Sequence, residues 1–247
     1  NGKTTVSNMV EDVLTQCGYD FICNRSGSNV ATGVASTLIA NSTLFGKPKK
    51  DLAVFELDER SAPRILPFIK PDLLLCTNIF RDSYKRNAHV EFILDILSTY
   101  IPDSTRLVLN ADDLLCSSLK PQNRRVFFGI DPLPNDVEEP ASLVQDVRAC
   151  PQCGALLEWD LRRYHHIGRA HCPRCGFRSP TPKYHVAAVD EGAKRMTVEG
   201  PNGPQEYSVP NTSPINVYNA LSAVALLAEF GLSKERIAQC MDKLTIV

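Results

Sequence analysis

The chain has 247 residues, which at roughly 100–200 residues per domain allows one large domain or two small ones. Lys and Arg total 27 against 28 Asp and Glu, a net charge of −1, which argues against a generally basic nucleic-acid binder while leaving room for a local patch. Hydrophobic residues at 43% and charged residues at 22% argue against wholesale disorder, and no apolar run approaches the ~18–20 residues of a membrane span. The longest candidate, 220–230, reads as a buried helix, and no basic-then-apolar leader opens the chain, so a soluble, cytoplasmic protein is expected.

The first residues, Asn1-Gly2-Lys3-Thr4-Thr5, match the back half of the phosphate-binding loop G-x-x-x-x-G-K-[ST]. Such a loop opens a helix, and 4–16 places Val6, Met9, Val10, Val13 and Leu14 on one stripe at helical spacing. The strand and first glycine that belong before it are not in the chain, which therefore reads as a fragment. Short apolar runs at 19–24, 51–57, 72–78 and 105–110 suit strands buried on both faces, with helical patterns at 31–40, 61–69 and 90–100 between them. That alternation predicts an α/β fold, a P-loop-type, doubly wound, mostly parallel sheet. Ligands of such sheets bind beyond the carboxyl ends of the strands. There the chain carries Glu56-Leu57-Asp58-Glu59, then Thr77-Asn78 followed by Arg81-Asp82, then Asn110-Ala111-Asp112-Asp113. A loop lysine, a loop hydroxyl and a strand-end carboxylate are what a magnesium–nucleotide site requires, and Glu56 is the favoured metal ligand. Asp112 and Asp113 read equally well as helix caps.

In the middle stand Cys150-Pro151-Gln152-Cys153-Gly154 and Cys172-Pro173-Arg174-Cys175-Gly176, two knuckles 18 residues apart. Four thiolates on two tight turns describe a closed, structural zinc ribbon with no open position for chemistry. Trp159, Tyr164 and Phe177 are placed to cover it, and His165, His166 and His171 are spare, with His171 a possible competing ligand. Arg148, Arg162, Arg163, Arg169, Arg174 and Arg178 make the ribbon locally basic, which suits either nucleic acid or an ordinary solvated face. Flanking Pro- and Asp-rich stretches mark 146–180 as an insertion. Cys17, Cys23, Cys76, Cys116 and Cys240 read as small core residues. Beyond the insertion, 184–189, 195–199 and 206–209 alternate like antiparallel strands, a long helix begins near Asn216, and Ser233 caps a last helix over 234–244.

These pieces, in this order and ending with Asn216-Val217-Tyr218-Asn219-Ala220, resemble the Mur ligases, ATP-dependent amide-forming enzymes of bacterial cell-wall synthesis. The ribbon, the stretch 24–29 and the phrase Ala53-Val54-Phe55-Glu56-Leu57-Asp58-Glu59 resemble the MurT type of that family. The resemblance implies that 1–247 is the central ATP-binding domain, without the C-terminal ligase domain and therefore inactive alone. It implies amidation of the D-glutamate α-carboxylate of lipid II to D-isoglutamine through an acyl phosphate, with ammonia from a GatD-type glutamine amidotransferase. By the family pattern Asn1, Gly2, Lys3 and Thr5 hold phosphates, Thr4 and Glu56 serve Mg2+, Asn216 lies near the ATP, and Asn78, Arg81 and Asp82 line the reaction side. Cys150, Cys153, Cys172 and Cys175 hold Zn2+, and no nucleic acid is expected as a partner. Two positions depart from the pattern: Ser83 stands where other Mur ligases have a histidine magnesium ligand, and Lys85 replaces a family aspartate. They keep two alternatives open, another Mur-type amino-acid ligase and a non-catalytic zinc-ribbon scaffold.

Overall fold

A computed structural model describes residues 2–25, 29–80, 90–134, 136 and 147–244. In chain order the elements are α1 (Lys3–Gln16), β1 (Ile22–Cys23), α2 (Ala31–Ala40), β2 (Ala53–Val54), a 3-10 turn (Glu59–Ser61), α3 (Ala62–Ile65), β3 (Leu73–Cys76), α4 (Val90–Tyr100), β4 (Arg106–Asn110) and α5 (Leu114–Ser117). There follow β5 (Arg125–Ile130), β6 (Glu158–Tyr164), β7 (Ile167–His171), β8 (Tyr184–Asp190), β9 (Arg195–Glu199), β10 (Gln205–Ser208), α6 (Pro214–Phe230) and α7 (Lys234–Met241).

Six strands form one sheet in the order β10-β9-β8-β5-β4-β3. Pairing is parallel from β3 through β4 and β5 to β8, then antiparallel through β9 to β10. A separate parallel pair joins β1 to β2, and β6 and β7 form an antiparallel hairpin outside the sheet. The sheet is the mostly parallel α/β layer expected, with an antiparallel end built from the three strands that follow the insertion.

Strand alternation divides the core between the two faces of the sheet. Along β4, Val108 packs with α1, α6 and α7, while Leu107 and Leu109 pack with α3, α4 and residues after α5. The α1 stripe Val6, Met9, Val10, Val13 and Leu14 is buried as its spacing predicts, and ten residues of α6 are buried, so that helix is interior on nearly every side. Among the described residues no helix is long and apolar enough to cross a membrane.

Several expectations need correction. The runs 19–24 and 51–57 form only two-residue strands, and β3 is half-buried along its length rather than buried on both faces. The 61–69 pattern divides into a 3-10 turn and a four-residue helix, because Pro67 has no N–H to donate and disfavours helix in the residue before it. β5 was not anticipated, although it is the central bond between β4 and β8. Of the five isolated cysteines, Cys116 and Cys240 are buried, while Cys17, Cys23 and Cys76 are half-buried.

Candidate active site and metal centre

The start of α1 supplies one side of the candidate site. Gly2 precedes the helix with φ 83, and no side chain caps the helix start. First-turn N–H groups then face outward with the positive end of the helix dipole, a natural seat for an anion. Gly2 is required by space as well as by φ: a Cβ there would lie 2.2 Å from Asn219 Oδ1 of α6. Thr5 lies half-buried in the same first turn and Thr4 is exposed.

Glu56, two residues beyond β2, supplies the other side. Buried Asn24 grips its backbone twice: Asn24 Nδ2 donates to Glu56 O at 2.9 Å, and Asn24 Oδ1 accepts from Glu56 N at 3.0 Å. The carboxylate is aimed by two donors, Thr4 Oγ1 at 3.1 Å and Asn29 Nδ2 at 3.0 Å, both on Oε1. Lys3 Nζ donates to Glu59 Oε2 at 2.9 Å. Burial works to raise the Glu59 carboxyl, but the lysine outweighs it and holds that group below the usual carboxylate range. Thr4, Ser7, Asn8, Asn24, Arg25, Asn29 and Glu56 line a polar cleft of about 200 Å³ at this point. Arg25 is already bound on its wall, donating to Asn8 Oδ1 and Asp12 Oδ1, each at 2.8 Å.

Asn216 donates to Asn211 Oδ1 at 2.9 Å and Ser213 Oγ at 3.0 Å, closing the start of α6. It stands one helical turn before Asn219, on the helix face that meets Gly2. Asn78 lies just beyond β3 and donates to Thr77 Oγ1 at 3.2 Å. Asn1, Arg81, Asp82, Ser83 and Lys85 lie outside the described residues.

The Asn110-Ala111-Asp112-Asp113 motif is committed to structure. Asn110 Nδ2 donates to Thr77 O at 3.0 Å, tying β4 to the segment after β3. Asp113 accepts from Leu115 N and Cys116 N as the cap of α5, and its other oxygen accepts from Ile79 N at 2.8 Å. Asp112, with 0% exposure, accepts from Ile130 N at 2.8 Å, Tyr218 Oη at 2.7 Å and Arg169 Nε at 3.1 Å. Burial and the Asp112 charge keep the Tyr218 hydroxyl protonated, so it remains a donor in this network.

The four ribbon cysteines converge, with every pair of sulfurs within 4.8 Å. Cys150 and Cys175 lie 3.5 Å apart, as do Cys153 and Cys172. At about 2.3 Å per Zn–S bond, tetrahedral ligands stand roughly 3.8 Å apart, so the cluster fits a metal ion of that size without rearrangement. Backbone N–H groups of Cys175 and Arg174 point at the Cys172 sulfur and pull its thiol down to about 6, favouring the thiolate a metal needs. His171 is not a competing ligand: Nε2 lies 3.2 Å from Glu158 Oε2 and Nδ1 2.8 Å from Asp160 Oδ1.

Two other readings of the ribbon are corrected by burial. Arg163 is not on a solvated face: its side chain is 2% exposed, and it donates to Asp136, Ile130 O, Asp131 O and Tyr218 Oη. Arg169 reaches Asp112 and Asp131. His166 is not spare: it is buried, with Nε2 3.3 Å from Asp113 Oδ1. Tyr164 turns away from the knuckles to pack with Phe80 and Tyr218. The ribbon hairpin is thus bolted to the ends of β4 and β5.

No family model matches the chain. Comparison with solved structures gives the class of fold, which is shared with Mur ligases. A pseudomurein peptide ligase type C from Methanothermus fervidus superposes with a TM-score of 0.76 at 23% identity, covering 100% of this chain and 48% of that one. MurF from Acinetobacter baumannii follows at 0.65 and 14% identity, over 100% of this chain and 44% of that one.

Within that class the sequence resembles the MurT subunit of lipid II isoglutaminyl synthase (glutamine-hydrolyzing). It is 34% identical to the Staphylococcus aureus (strain COL) subunit over 248 residues, 99% of this chain and 54% of the relative. It is 31% identical to the Streptococcus pneumoniae (strain ATCC BAA-255 / R6) subunit over 250 residues, 98% of this chain and 54% of the relative. The chain spans about half the length of these curated relatives.

Proposed function

We propose that this chain, 1–247, is the central ATP-binding domain of a MurT-type ligase, with the ribbon 146–180 inserted in it. The observation that carries the reading is the Thr4 Oγ1–Glu56 Oε1 contact of 3.1 Å beside the uncapped start of α1. A hydroxyl and a carboxylate at that spacing are hard oxygen ligands for Mg2+, and the adjacent N–H groups and Lys3 suit a polyphosphate. Gly2, Lys3 and Thr5 hold the phosphates, Thr4 and Glu56 the magnesium, and Asn216 and Asn219 support the loop from α6. Lys3 leaves Glu59 for the phosphates on binding, and Asn24 and Asn29 keep Glu56 aimed throughout. Asn78, with Arg81 and Asp82, lines the reaction side.

A carboxylate is a poor acyl donor because its leaving group would be oxide. ATP bound here would transfer its γ-phosphoryl group to an oxygen of the D-glutamate α-carboxylate of lipid II, with ADP leaving, and ammonia would then displace phosphate from the acyl phosphate to leave D-isoglutamine. Ammonia comes from a GatD-type glutamine amidotransferase partner, in the cytoplasm. The four cysteines hold Zn2+ in a structural role.

The test is amidation of lipid II by the full-length protein with its glutaminase partner, followed by mass. Each amidation replaces OH by NH2, a loss of about 1 Da, and requires ATP and glutamine. Lys3→Ala should lower the rate at least about a hundredfold, the scale of losing a preorganised charge at a developing anion. Addition of an amino acid instead of ammonia, or no ATP-dependent product, contradicts the reading.

A further inference from the structure

The β6–β7 hairpin of the ribbon ends in a two-residue turn, His165-His166, closed by the Tyr164–Ile167 pair. His165 holds φ 48, a left-handed conformation uncommon outside glycine and maintained only where surroundings impose it. Gly168 follows where a Cβ would meet Leu161 O at 2.0 Å, so the two strands close tightly behind the turn. That turn sits against Phe80, whose ring centroid lies 4.8 Å from His166, 5.4 Å from His165 and 6.0 Å from Tyr164.

Phe80 ends the described part of the segment after β3 that contains Asn78. The same turn also meets the carboxylate holding that segment: Asp113 Oδ2 accepts from Ile79 N at 2.8 Å, while Asp113 Oδ1 faces His166 Nε2 at 3.3 Å. The hairpin therefore touches the segment directly through Phe80 and indirectly through Asp113. At its other end, β7 runs into Cys172, and a bridge between His171 and Arg178 together with Cys172 N→Phe177 O at 2.8 Å links the strand to the second knuckle. Among the described residues the ribbon buries few apolar side chains, Leu161, Ile167 and Ala170 besides two cysteines, so beyond the Arg163 and Arg169 anchorage a bound metal would be a main source of order in the knuckles.

We propose that the four-cysteine knuckles and the β6–β7 hairpin act as a metal-braced strut that positions the Thr77–Phe80 segment, with His166 and Phe80 as positioning residues. What the segment does for catalysis rests on the ligase reading above; the mechanical coupling does not. The nucleic-acid role that a basic ribbon suggests is disfavoured, since Arg163 and Arg169 are spent on this anchorage.

Hydrogen exchange on the full chain tests the coupling without turnover. Zinc-loaded protein is compared with chelator-stripped protein and with zinc-loaded His166→Ala and His166→Gln. The Ile79 amide and its peptide should exchange about tenfold faster after stripping and in His166→Ala, with α1 and β8–β10 unchanged. His166→Gln, which keeps a polar side chain facing Asp113, should restore most of the protection. If stripping accelerates every peptide, His166→Ala with zinc retained decides. Unchanged protection at 77–80 while the ribbon's own peptides accelerate, or in His166→Ala, overturns the proposal. In the full-length enzyme, His166→Ala should lower kcat and leave the KM for ATP within about twofold, because the Lys3–Thr4–Glu56 site is untouched. Equal effects on both contradict a positioning role, whereas no activity in the parent protein together with intact exchange coupling counts only against the ligase reading.

Discussion

Asn24, Asn29 and Asn219 are uncharged, and each fixes a group of the candidate site. Asn24 clamps the Glu56 backbone, Asn29 aims its carboxylate, and Asn219 presses on Gly2. The meeting of Thr4 with Glu56 follows from positions the sequence makes recognisable, a Gly-Lys-Thr opening a helix and an acid at a strand end. The amides were not recognisable, since an Asn has no pattern signature and these contacts run to residues 27, 32 and 217 positions away. Glu59 carries a prediction of its own, because two opposed influences act on it. With Lys3 present its carboxyl sits below the usual ~4.3, so its stabilisation is complete above that pH and fades in acid as pH falls through the lowered value. In Lys3→Ala burial is opposed chiefly by the Glu59 backbone hydrogen bond, so the carboxyl should titrate higher than in the native chain and its stabilisation at neutral pH should shrink. Side-chain carbonyl NMR of Glu59 reads this, and an unmoved titration would falsify the Lys3–Glu59 pairing.

Among elements, α1, α2, α4 and the strands β3, β4 and β8–β10 were legible from apolar periodicity. β5 escaped because Gln122-Asn123-Arg124 precedes it, it opens on Arg125, and its apolar run is only Val126-Phe127-Phe128, too brief for a pattern. In the β6–β7 hairpin, six arginines around the ribbon suit either nucleic acid or a solvated face, and neither reading points to the buried anchorage of Arg163. The hairpin's position depends on partners at 112, 113, 131, 136 and 218, which no local pattern reveals. Arg163 measures that anchorage. Burial opposes its charge, and the Asp136 and Asp112 carboxylates, with the Tyr218 oxygen accepting from it, more than compensate, so the guanidinium stays charged in the interior. Arg163→Met leaves Asp112 and Asp136 short of a buried partner and should cost about 3–5 kcal/mol of stability in urea unfolding. A loss under about 1 kcal/mol is the scale of an exposed ion pair and would contradict the buried network.

Across the whole molecule, one sheet carries both functions assigned to it. Its helix-covered faces make the core, and the carboxyl ends of its parallel strands present Thr77, Asn78 and the Asn110–Asp113 cluster, with Glu56 beyond the separate β1–β2 pair. The ribbon anchors at that same end rather than at a remote edge, through Asp112, Asp113 and Asp131. The α/β class, the four converging cysteines and the helix that opens at Gly2-Lys3-Thr4 could be read from the chain. The joining of ribbon to strand ends could not, because it is a tertiary fact built from buried charge. The most direct measurement of the central claim is calorimetric titration of ATP with and without Mg2+, on the native chain, Lys3→Ala and Glu56→Ala, with zinc quantified in each sample. The account predicts magnesium-dependent ATP binding in the micromolar range, lost in both variants, with one zinc per chain throughout. Equal ATP affinity in all three proteins, or none in the native chain while its zinc is retained, would contradict it.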